Sequence, residues 1–147
     1  MKGDKLPDQD HVVRFCQPTR VADEQIQATA FMVREGEESL SVNWLEFFKL
    51  TNKVSSINTL RKTYSSKFNR IGAGAKLAVL NISEVCDKVL KESPDRRKLE
   101  ILHDPEVTPE YEDLSHSGIY HLRHDEELIA ELILETVREI YPARGNH

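Results

Sequence analysis

Apolar residues recur along this chain at two spacings, and the switching between them marks out short strands and a few helices. Residues 11–16 (HVVRFC) are β-rich and run into Gln17-Pro18. Proline biases its predecessor away from helix, so a strand followed by a turn is expected. Residues 26–33 alternate weakly and read as strand, although Ala28, Ala30 and Met32 also suit a helix. A polar turn at 35–38 precedes a short strand at 40–42. Residues 44–50 read as a short helix capped by Asn43, with Glu46 at the third position of a capping box.

The clearest helix of the first half places Ile57, Leu60, Tyr64, Phe68 and Ile71 at spacings of three and four. Ser55 or Ser56 is its expected N-cap, and Gly72-Ala73-Gly74 its stop. Residues 77–82 are a continuous apolar run, as in a central strand. Ser83 and Glu84 then open a helix that turns Val85, Cys86, Val89 and Leu90 inward and ends at Ser93-Pro94-Asp95. Residues 98–102 read as a strand. Residues 103–117, with Pro105 and Pro109, read as a long polar loop of the kind that is often functional or mobile. A C-terminal helix is expected to gather Leu128, Ile129, Leu132, Ile133, Thr136, Val137 and Ile140 on one face. Asp125, Glu126 and Glu127 suit its first turn and Arg138 its end, and Pro142 and Gly145 mark its stop.

These elements predict an α+β fold: one domain over residues 11–147, a mixed sheet of about five strands, and three or four helices packed on it. Residues 1–10 are polar and read as a flexible arm. A length of 147 residues suits a single domain with a real core. Cys16 and Cys86 form no CxxC pair, which excludes a zinc ribbon or a thioredoxin-type motif. The N-terminus lacks an apolar signal segment, and no apolar run approaches a membrane span, so a cytoplasmic protein without a membrane partner is expected.

Charge changes the picture. The chain carries a net −5, yet residues 49–76 contain no Asp or Glu and hold Lys49, Lys53, Arg61, Lys62, Lys67, Arg70 and Lys76. Such a split points to an anionic partner on one face, set against the simpler reading of a solvated helix face. On a helical wheel Lys62 and Arg70 fall away from the apolar stripe, while Arg61 and Lys67 flank it. Trp44 and Phe48 share a face and belong to the core, which leaves Phe47 to be exposed beside the basic helix, a composition typical of interface hot spots. The leading expectation is therefore a small interaction protein. It would bind an acidic protein partner through Phe47, Lys53, Arg61, Lys62, Lys67, Arg70 and Lys76, as a subunit of a larger complex. Direct nucleic-acid binding without catalysis is an alternative, although Tyr64 and Phe68 lie on the core stripe rather than free for base stacking.

Catalytic chemistry is the other alternative. Gly72-Ala73-Gly74-Ala75-Lys76 precedes a strand, not a helix, so it is a turn and not a phosphate loop. His103, His116, His121 and His124 cluster in the second half without any metal-binding spacing, and no metal or cofactor is expected. His116, in Leu114-Ser115-His116-Ser117-Gly118, has the small hydroxyl neighbours of a proton-transfer residue, or of an ordinary capped loop. A metal-independent nuclease or phosphodiesterase would use His11 and His116 with a cation, Arg34 or else Arg14 or Arg20. His11 and Arg14 point to opposite faces of a regular strand, which counts against their acting jointly. Arg14 shares a face with Val12 and Cys16 and is expected to be partly buried against Glu37 or Glu46.

The strings HVVRFCQPT (11–19), REGEESLSVNWLE (34–46) and SHSGI (115–119) resemble those of a small family of bacterial proteins with no activity attached. The resemblance spans most of the chain. It implies a bacterial cytosolic protein, encoded beside larger effector genes, and carries over no catalytic residue or cofactor.

Overall fold

A computed structural model describes residues 3–145 of the chain. The strand at the N-terminus, β1 (His11–Cys16), lies inside the main sheet rather than at its edge. A two-residue ribbon follows, β2 (Val21–Ala22) and β3 (Gln25–Ile26), and then β4 (Ser39–Trp44) and α1 (Lys53–Lys67). Next come β5 (Lys76–Asn81), α2 (Ile82–Glu92) and β6 (Glu100–His103). A second ribbon, β7 (Glu106–Val107) and β8 (Glu112–Asp113), leads to β9 (His116–Tyr120), α3 (Glu127–Leu134) and β10 (Val137–Pro142). The main sheet has the order β10-β5-β1-β4-β9-β6. The fold is α+β. All five pairings in this sheet are antiparallel, so it is not the mixed sheet expected.

Strand alternation divides the core. Val13, Leu77 and Val79 face α1 and meet Ile57, Leu60 and Tyr64. Val12, Ala78 and Leu80 face the other way and join Val85 and Val89 of α2 with Ile129 and Ile133 of α3. Burying each such aliphatic side chain contributes about 1.5–3 kcal/mol. Ile57, Leu60 and Tyr64 of the predicted α1 stripe are buried, while Phe68 at the C-cap and Ile71 beyond it are half-buried; the N-cap is Asn52, whose side chain accepts from the Ser55 N–H. The helix ends at Phe68, before the glycines are reached. Asn81 caps α2 in the same way, and Leu90 stays exposed.

Several elements differ from the expectation. Residues 28–31 form a 3₁₀ turn, not a strand, and bury Ala30 and Phe31. Leu45–Phe48 is also a 3₁₀ turn, entered directly from β4; Asn43 is a strand residue and gives it no side-chain cap. The C-terminal periodicity belongs to two elements. α3 stops at Leu134, Thr136 bonds back to the Ile133 carbonyl, and the chain returns as an edge strand on β5. Ile140 is consequently half exposed, and Arg138 pairs with Glu84 instead of a helix end.

Residues 103–117 are not a plain loop: they fold into the β7–β8 ribbon and deliver His116 into β9. Of the N-terminal arm, residues 3–6 run along β6. Gly3 and Leu6 donate to the carbonyls of His103 and Ile101, His103 donates to Asp4, and Leu6 is buried. Among the described residues no helix is long and apolar enough to cross a membrane.

Candidate functional site

β1 and β4 pair only at Val12↔Trp44 and Val13↔Asn43. Beyond that point they splay, and the gap is occupied by Arg14. Its Nε donates to the Ala30 carbonyl at 2.8 Å and its Nη1 to the Ser41 carbonyl at 2.9 Å. The expected carboxylate partners are committed elsewhere. Glu46 binds the backbone N–H and ring of His11, at 2.7 and 2.6 Å, and Glu37 accepts the Arg34 backbone N–H at 2.6 Å. Burial, with the charge of Arg34, lowers the Arg14 pKa, against opposing contributions from Cys16, Tyr64 and Glu37.

The gap opens into a cavity of about 270 Å³, lined by Arg14, Arg20, Arg34, Lys67 and His116 with apolar wall from Phe15 and Phe68. Arg14, Arg20 and Arg34 have no carboxylate within salt-bridge distance among the described residues. The acids that line it, Glu37 and Glu106, are held by the Arg34 backbone and by Lys67. Set against Glu37, Glu106 and the Asp113 behind Lys67, the four cations leave the cavity with a net positive charge, which draws an anion.

A buried polar network supports its wall. Lys67 Nζ donates to Glu106 Oε1 at 2.6 Å and Asp113 Oδ2 at 2.9 Å. Asn43 Nδ2 donates to Asp113 Oδ1 at 2.7 Å and Ser115 Oγ at 2.9 Å, and Tyr64 Oη donates to Asn43 Oδ1 at 2.8 Å. Burial alone would lower the Lys67 pKa, but its bonds to Glu106 and Asp113 outweigh burial and raise it. His116 sits opposite Asn43 on β9, and its Nδ1 is 2.7 Å from the Asp104 carbonyl.

The residues singled out by sequence thus separate. His116 and Arg34 share the cavity with Arg14 and Arg20; His11 stands outside it, with Glu46. Of the basic-helix residues, Lys67 is an internal strut, Lys53 is paired with Glu139, and Arg61 bonds the Pro142 carbonyl through Nε and Nη2. Phe47 is half-buried, with its ring 5.8 Å from Trp44 and 5.5 Å from His103, so it is not the exposed anchor expected. Lys62 and Arg70 are exposed, and Lys76 is half-buried at the start of β5.

From sequence Asn43 has only a capping role, and Asp113 and Glu106 have none. A signal for the site did exist: an arginine inside an otherwise apolar strand. Both thiols are unsuited to nucleophilic work, since burial pushes Cys16 up to about 12 and Cys86 up to about 11. No three His, Cys, Asp or Glu side chains among the described residues converge as a metal site. Comparison with protein-family models, with curated proteins and with solved structures returns no match.

Proposed function

We propose that this protein is a binding module for a small anion, held in the cavity between β1 and β4. The observation that carries the reading is the convergence of three arginines without carboxylate partners, one of them anchored by two backbone carbonyls. A guanidinium fixed in this way keeps N–H donors in a set fork, which suits the oxygens of a phosphate or carboxylate. Holding Arg14 before the ligand arrives removes the cost of ordering it on binding.

Isothermal titration with inorganic phosphate, pyrophosphate and citrate tests this. Arg14→Gln is expected to weaken the best of these probes about 10–100-fold, the loss of hydrogen bonds to a charged group. Silence of the wild-type protein toward all three probes would remove the proposal.

A second reading, the docking of an acidic protein partner, is supported by a different feature. A groove of about 1110 Å³ runs between α1 and the end of β10, past Lys62, Phe68, Arg70 and Arg144, and no Asp or Glu lines it among the described residues. In this reading Lys62 and Arg70 are the free contacts, with Arg61 and Arg144 partly committed to backbone carbonyls. Lys62→Glu with Arg70→Glu is expected to abolish binding of a fluorescent Asp/Glu-rich peptide in low salt while leaving the circular dichroism unchanged. Equal binding by the double variant would withdraw the groove. Tight and steeply salt-dependent binding of a single-stranded oligonucleotide instead would favour nucleic acid.

A further inference from the structure

His116, which lines the cavity, has one buried ring atom without a partner among the described residues. His116 Nδ1 lies 2.7 Å from the Asp104 carbonyl oxygen. A carbonyl only accepts, so Nδ1 carries a hydrogen, and in the neutral ring Nε2 is left as a bare lone pair. The side chain is 5% exposed, and Nε2 has no hydrogen-bond partner among the described residues. Glu106 Oε1 is 3.9 Å away, beyond hydrogen-bond distance, and already takes a hydrogen from Lys67. A buried polar atom without a partner costs about 1–3 kcal/mol, and most native structures avoid that cost. Here the unsatisfied atom belongs to a residue lining the same cavity as Arg14, Arg20 and Arg34.

These surroundings ask for two different groups on one ligand. The arginines offer only donors and call for an anion. The His116 lone pair calls for a donor, which an ionised phosphate or carboxylate oxygen is not. A hydroxyl is the smallest group that meets it. The volume, about 270 Å³, lies just under the range of roughly 300–1,000 Å³ that holds drug-sized ligands, so the ligand is small. We propose that the ligand is a small hydroxylated anion, a phosphorylated polyol or a hydroxy acid, whose acid group meets the arginines and whose hydroxyl donates to His116 Nε2. This rests on the anion-binding reading above and makes His116 its specificity-determining residue.

Matched probes test it. Glycerol 3-phosphate is compared with n-propyl phosphate, and lactate with propionate, each by isothermal titration. The wild-type protein is expected to prefer the hydroxylated member of at least one pair about tenfold, and the preferred pair tells whether the acid group is phosphate or carboxylate. In His116→Asn the amide still donates to the Asp104 carbonyl but Nε2 is gone. This variant is expected to lose the preference while binding the hydroxyl-free member within about twofold of wild type. Binding of all four probes without preference overturns the hydroxyl assignment and leaves the anion site standing. Binding of none, together with silence toward inorganic phosphate, pyrophosphate and citrate, overturns both. Equal weakening of both members by His116→Asn means that the imidazole meets the acid group itself, which also overturns the assignment. Should the variant fail to fold, the wild-type preference alone decides.

Discussion

Lys67→Met is expected to lower the melting temperature by about 10–15 °C. The substitution keeps most of the length of the side chain and removes its charge. It leaves the Asp113 carboxylate, whose side chain is 0% exposed, with Asn43 as its remaining strong partner. Stripping one member from a buried ion pair costs about 3–5 kcal/mol, because the surviving charge stays desolvated. For a domain of this size each kcal/mol corresponds to roughly 3–4 °C. Adding Asp113→Asn to Lys67→Met recovers part of the loss, since the orphaned charge goes with it. Differential scanning calorimetry of the two variants reads this directly. A melting point unchanged by Lys67→Met would return Lys67 to the surface role that its position in the basic window implied.

Arg97→Ala is the second large loss, about 3 kcal/mol or near 10 °C. Arg97 grips Glu126 with two parallel bonds, at 2.7 and 2.5 Å, and also holds Asp95 and the His121 carbonyl. Glu126 in turn accepts the Arg123 backbone N–H, so the cluster closes the turn that leads into α3. The Arg97 bond holds the Glu126 carboxyl below its ordinary value of 4.5, and the Asp95 carboxyl is lowered in the same way. A depressed carboxyl adds stability that is fully present above its unfolded pKa and is lost as pH falls through the folded one. The gap between wild type and Arg97→Ala in urea denaturation should therefore be full at pH 7 and shrink steadily below about pH 4.5. A gap equally wide at pH 3 would mean that packing of the arginine stem, not its charge, sets the loss.

Elements whose signals are local could be read from the chain. β1, β5 and the buried stripes of α1 and α2 follow from continuous apolar runs or from spacings of three and four, and tertiary packing agrees with them. The end of α3 could not be read in that way. Val137 and Ile140 fit a helical stripe as well as a strand, and only the vacant edge of β5 decides between them. The basic window was visible as charge, but its electrostatics were not. The acids that neutralise Lys67 lie 39 and 46 residues away, in a ribbon whose strands are two residues each. The site had the same difficulty. Arg14, Arg34 and His116 each drew notice, yet their grouping depends on where β1 and β4 part after Val13, and no residue type announces that point.

The sheet order has a consequence for how the chain is made. β1 takes its two partners from residues 39–44 and 76–81, and β5 takes its second partner from residues 137–142. The centre of the sheet thus joins segments that lie far apart along the chain. Closing contacts across such separations costs loop entropy before any pairing returns it, which slows folding. Val12, Val13 and Phe15 lack their strand neighbours until the segment ending at residue 81 has been made, an interval in which their apolar surface is open to aggregation.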